Sequence, residues 1–491
     1  MARGRRVQAQ AVTSRSHPTK PGFIVFDQQV VITIDKLVIH CDYAEQNRQT
    51  SEVFARGNLR IRLEDKSTVS GKELYNDPNQ DFIIVNEDVI YTSKDKKTQL
   101  FTDKLFYDDA NEIASYYTGG EVRTDSTVLV SKIGHSHTKT GAFYCKTDVV
   151  ITHPRYTIYT DTLKMLDDTV HFFSPTKVYA DENYMYCEQG WYHAPTEVAW
   201  LYQNAFVQTS DQKLYGDTIY YRMKDEYGEA MSHVVMIDSV RDMTVYCDYA
   251  LNQRKLGNAL FTKNVLGMMM SDADTLFFNS DTLYLTYDST ETMQVIQAYH
   301  GVRFFRQDMQ GCCDSLCYVA GDSTMRMYQN PILWSNSDQI TGDSIILFLS
   351  NKKPQTMNLS NHAFVISQGF DTTQFNQLKG QTLKGFFNDS SQLERVDIMH
   401  DVETLYYVID EKDSTLIGIL KVNAKEMTMH LSEQRIESIR YLKPDDGSMF
   451  PESELPVEDR ILTGFTWQDA LRPKTKTDVF PKSMLSFEVE N

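Results

Sequence analysis

The side chains of this sequence that could do chemistry return at regular places instead of gathering at one. A small residue, an Asp, a second polar residue and an apolar stretch recur at Thr102-Asp103-Lys104-Leu105, Thr160-Asp161-Thr162-Leu163, Gly216-Asp217-Thr218-Ile219, Ser280-Asp281-Thr282-Leu283 and Gly342-Asp343-Ser344-Ile345, and in degraded form at Gly380-Gln381-Thr382-Leu383. Carboxylates act as acid and base when two form one unique pair, and they hold calcium when several oxygens share a short loop. One Asp per repeat meets neither condition. The row therefore reads as structural, each carboxylate accepting backbone N–H bonds where a strand bends while its small neighbours let adjacent rungs approach.

Four of the seven cysteines, Cys41, Cys145, Cys187 and Cys247, occupy the place that Thr, Gly or Ser holds in sister repeats. They read as small core residues with free thiols, because positions whole rungs apart need not come within the ~7 Å that a disulfide tolerates. Cys312-Cys313-Asp314-Ser315-Leu316-Cys317 lacks the paired spacing of a zinc site. His135-Ser136-His137 sets two imidazoles on one side of a strand with no third ligand nearby, and reads as two exposed histidines flanking a turn. No phosphate-binding Gly loop, nucleophile elbow or His-Glu-x-x-His helix is present. No catalytic residue, metal site or cofactor is expected.

The elements that position these residues are strands. Alternation of β-branched and aromatic residues runs through Phe23-Ile24-Val25-Phe26, Val149-Val150-Ile151 and Phe364-Val365-Ile366, separated by turn-forming breaks such as Asn76-Asp77-Pro78-Asn79. A second signature, an apolar residue followed by a Gly or Asn turn and a strand, appears at Arg56-Gly57-Asn58-Leu59, Tyr202-Gln203-Asn204-Ala205, Tyr299-His300-Gly301-Val302 and Asn361-His362-Ala363. From Asp161 the merged corners fall at Glu188, Asp217, Asp248 and Asp281, a repeat of about 30 residues. A constant period with constant corner chemistry predicts an all-β, elongated, repetitive array over residues 27–440, with room for two or more stacked modules.

With 49 Lys and Arg against 67 Asp and Glu the protein has a formal charge of −18, which disfavours nucleic acid and anionic bilayers as partners. Residues 1–26 hold Arg3, Arg5, Arg6, Arg15 and Lys20 without an acid over the first 22, and read either as the remnant of a secretory signal lacking its apolar region or as a disordered basic segment. Residues 441–491 break the repeat through Pro444, Pro451, Pro456, Pro473 and Pro481, and read as a tail or cap that docks on terminal rungs or on a partner through Phe465 and Trp467 and so covers an open edge.

The alternation of the two signatures resembles the OstA/LptA-like proteins of lipopolysaccharide transport, in particular the long OstA-like form of Bacteroidetes. Ala55-Arg56-Gly57-Asn58-Leu59-Arg60-Ile61 is similar to that family's A-x-G-N-V-x-I step, and the steps at 160–163, 216–221 and 280–284 match its Asp-containing ones. Length, repeated cysteines and the tail set this protein apart. The resemblance implies a twisted β-jellyroll with an open, V-shaped apolar groove. It also implies a periplasmic Gram-negative location and a non-enzymatic bridge sheltering lipid A acyl chains, with other Lpt-type β-jellyroll components, or further copies end to end, as partners. Phe101, Phe106, Phe143, Phe172, Phe206, Phe261 and Phe304 are then candidates to line the groove, although the same rings could fill a closed core. A β-solenoid acting on polysaccharide would show shorter coils and Asn or Gly ladders, whereas Gly is 23 of 491 residues. A structural envelope or adhesin arm is the third reading.

Overall fold

The computed structural model describes residues 6–481 apart from 81, 181–182, 271–273, 291, 351–352, 370–372, 411–414 and 433–434. Among the described residues the polypeptide forms 35 strands and six short 3-10 turns, with no α-helix. It divides into two units, Met1–Lys224 and Asp225–Asn491. Within each, every strand pairing is antiparallel.

The two sequence signatures are the two sides of one corner. Strand Phe143–His153 pairs with Tyr156–Leu166 in register up to Lys146 opposite Thr162 and again from Val149 opposite Thr160. Thr147 and Asp148 are thus set against the single Asp161, and both adopt left-handed backbone, with φ of 67° and 52°. Two residues against one is a β-bulge, which bends both strands. The same device sets Ser232 and His233 against Asp248, His300 and Gly301 against Asp314, and Asn361 and His362 against Gln381. The Gly, Asn and His residues of the second signature are there because that left-handed pair favours them.

Because each long strand bends at its middle, its two arms belong to two walls. Directly opposed residues of an antiparallel ladder share a face, so the register traces rows across the strands. In the second unit one row runs from Phe278 through Phe304, Gly311, Leu333, Ile340, Val365, Leu378 and Thr404 to Val422. In the first unit, on the other wall, a row runs from Cys145 through Leu163, Phe172, Gly190 and Leu201 to Ile219. Their side chains are buried, none more than 9% exposed. The walls cover each other: Thr404 donates to Met427 Sδ at 3.6 Å, and Tyr116 Oη lies 2.6 Å from Ser131 Oγ across the interior of the first unit.

The edges of the array lie outside residues 27–440. Val7–Gln10 and Thr13–Ser16, inside the segment expected to be disordered, pair with strand Phe23–Ile34. At the other end, strand Arg435–Phe450 runs past residue 440. Pro444 faces Ala424 beside a register shift in the ladder, the kind of irregularity at which a sheet tolerates proline.

Candidate functional site

The corner carboxylates are structural, though their partners differ from those expected. The corner acids accept side-chain amides from the facing left-handed pair: Asn58 to Asp42 at 2.7 Å, Asn204 to Glu188 at 2.8 Å and Asn264 to Asp248 at 2.7 Å, each 16 residues apart. Thr162 and Thr282 add hydroxyl donors to Asp161 and Asp281. Ladder N–H groups at the corner go instead to backbone carbonyls, as Asp343 does to Ser360 and Asn361. The concavities found at such corners are polar, one of them lined by Glu188, Gln203, Asn204, Asp217 and Thr218.

All seven cysteines are free, and Cys41, Cys145, Cys187, Cys247 and Cys313 are buried at corners. Burial pushes the thiols of Cys145, Cys187, Cys247 and Cys313 up to about 12. His135 lies half-buried within strand Ile133–His137, and His137, also half-buried, closes that strand beside the turn at 138–140, where its C=O accepts from Gly141 N at 2.8 Å. Their rings pack on Tyr117 and Tyr144, and Ser115 bonds His135 Nδ1 at 2.9 Å. Burial holds His135 below its ordinary pKa. Among the described residues no three His, Cys, Asp or Glu side chains meet as for a metal.

The seven phenylalanines divide between faces. Phe172, Phe261 and Phe304 lie on the inner rows and are 3%, 2% and 1% exposed, and Phe143 is on the same face at a half-buried rim. Phe101, Phe106 and Phe206 point the other way, which corrects their expected place in a groove. Their strand neighbours Leu100, Leu105 and Ala205 take the inner positions, and alternation sends the rings outward. Phe106 there packs on Phe82 and Tyr117, Arg123 covers Phe101, and Phe206 stacks on Tyr215 at 4.4 Å.

A second buried surface of the second unit escaped the sequence reading. On the face opposite the inner row, a row runs from Phe277 and Phe305 through Gln310, Trp334, Gln339, Ile366, Gln377 and Leu405 to Lys421. The tail from Pro451 to Pro481 lies along it as a strap. Gln377 donates to Arg460 O at 2.9 Å and accepts from Leu462 N at 2.8 Å; Gln339 donates to Thr466 O and accepts from Gln468 N, both at 2.7 Å. Gln310 Oε1 takes the Arg472 guanidinium at 2.7 Å. Leu455 and Leu462 complete a cluster with Phe364, Ile366, Leu405, Tyr407 and Ile419, while Phe465 and Trp467 pack on Phe375 and Phe480 on Phe277. The tail therefore covers a sheet face across many strands and not a terminal edge. One signal was legible: Gln310, Gln339 and Gln377 each stand four residues before a corner, at Asp314, Asp343 and Gln381.

No helix among the described residues is long and apolar enough to cross a membrane. No curated protein matches the sequence. A solved structure, LptH of Pseudomonas aeruginosa, described as the LptA-homologous periplasmic component of the lipopolysaccharide transport device, aligns over 28% of this protein and 94% of its own length at 11% identity and a TM-score of 0.22. The family model described as OstA-like protein matches residues 7–161, the stretch that holds Ala55–Ile61 and the corners at Asp103 and Asp161.

Proposed function

We propose that this protein is a periplasmic bridge of lipopolysaccharide transport that shelters lipid A acyl chains between its two walls, with Lpt-type β-jellyroll components at its ends. The reading rests on one observation, the buried and largely apolar inner rows that cross the successive strands of each unit. A CH₂ group moved from water into such an interior gains about 0.8 kcal/mol, so a row that runs with the array holds an acyl tail at any point along its length. The similarity of residues 7–161 to OstA-like proteins supports the same reading. The acyl tail enters by parting the walls where they are closed on each other. The protein contributes no bond-making step, and transport draws on energy supplied elsewhere.

Photoreactive residues tell the inner face from the outer. A crosslinker at Phe172, Phe261 or Phe304 is expected to capture lipopolysaccharide in cells, and one at the outward Phe101 or Phe106 to capture little. Equal capture at both sets, or capture at neither, overturns the reading.

A further inference from the structure

The first unit carries a face equivalent to the one the strap covers in the second, and among the described residues no such segment lies along it. Counting from the corners, the row four residues before Asp103, Asp161 and Asp217 holds Gln99, Thr157 and Lys213, and the register joins them through Tyr179, Tyr184 and Gln208. The neighbouring row on the same face holds Val130, Tyr159, Lys177, Phe206 and Tyr215. Tyr159, Tyr179, Tyr184, Phe206 and Tyr215 form a continuous ladder of rings 4.4 to 5.9 Å apart. Val130 is 45% exposed, Tyr159 47%, Tyr179 46% and Tyr215 38%. An exposed apolar surface of this continuity marks a place where something binds.

We infer that this face of the first unit binds an extended, acidic polypeptide segment of a partner, laid across the strands as the strap is laid across the second unit. Three features on the molecule select that occupant. The strap shows that a face at these offsets from the corners accepts an extended peptide, through glutamine amides that bond backbone C=O and N–H groups two residues apart. Gln99 stands at the offset of the clamp glutamines, and Gln208 lies on the same row. Lys177 and Lys213 project from the face, both exposed, in a protein whose charge is −18, so the face favours acids where the surrounding field repels them. The inference is separate from the proposed acyl-binding interior, since it concerns the opposite side of the wall.

The segment 451–481 of this protein, with six acids against four bases, is a suitable probe. As a labelled synthetic peptide added to the full-length protein, whose own strap already fills the second unit, it is expected to bind saturably and less tightly as salt rises. Lys177→Glu with Lys213→Glu, or Tyr159→Ser with Tyr179→Ser, should weaken it tenfold or more without lowering the melting temperature, because these side chains are exposed. A photoreactive group at peptide position 465, used on the unaltered protein, should label residues 149–215. Absence of saturable binding overturns the inference, as does labelling confined to residues 277–421, which would mark exchange with the resident strap. An oligosaccharide that competes the peptide off this face and binds it more tightly also overturns it, making the ladder a sugar platform.

Discussion

At Gly134 the interior of the first unit has no room for a methyl group. A Cβ there would lie 2.4 Å from the Tyr116 ring, whose hydroxyl is fixed by Ser131 and which is fully buried. Gly134→Ala is expected to cost about 1 to 3 kcal/mol of stability by overpacking. Gly321→Ala, with nothing within 4 Å of the added carbon, should be close to neutral. Denaturant titration of both proteins checks the contrast. The corner thiols give a second test. Burial raises Cys145, Cys187, Cys247 and Cys313 from an ordinary 9.0 to about 12, so the folded state keeps its protons where the unfolded state releases them. Their contribution is fully present below pH 9 and is lost as pH climbs from 9 towards 12. Alkylation of the native protein at pH 8 should therefore leave these four unmodified, with denaturation making them reactive. Rapid modification of Cys145 in the native state would contradict its packing.

The strap is the element the sequence least disclosed. Its prolines announced that it would not extend the sheet, and Phe465 and Trp467 that it would dock, but the surface it docks on lies far from it in sequence, Gln339 standing 127 residues before Thr466, to whose backbone C=O it donates. Gln377→Ala removes both bonds of one clamp and leaves Arg460 O and Leu462 N without their partner, a loss of about 1 to 3 kcal/mol if they remain buried. Removal of residues 451–491 uncovers Ile366, Leu405, Tyr407 and Ile419 together. The truncated protein is expected to unfold at lower denaturant and to associate with rising concentration, which sedimentation at several loadings would detect. A truncated protein as stable and as monomeric as the full-length one would show that the strap protects nothing.

Over the whole molecule, repetition made the class of fold readable. Local chemistry fixes the corner: a left-handed pair facing one small-Asp-small step bends any two antiparallel strands, and both halves of that device are short stretches of sequence. The strands, their period and the buried cysteines at corners such as Asp42 and Asp248 followed from residue types and spacing. The side to which a ring points did not. Phe206 and Phe304 look alike in sequence, each beside a corner, yet one joins an exposed ladder and the other lies in the interior, because a shift of a single residue in a strand reverses every side chain. The bulges insert such a shift at each corner, so the face is settled only when both partners of the bulge are known. Glutamine at 310, 339 and 377 likewise has no meaning within its own strand. Only the register of successive strands lines the three up, and only a segment returning from the far end of the sequence supplies the backbone groups that their buried amides require.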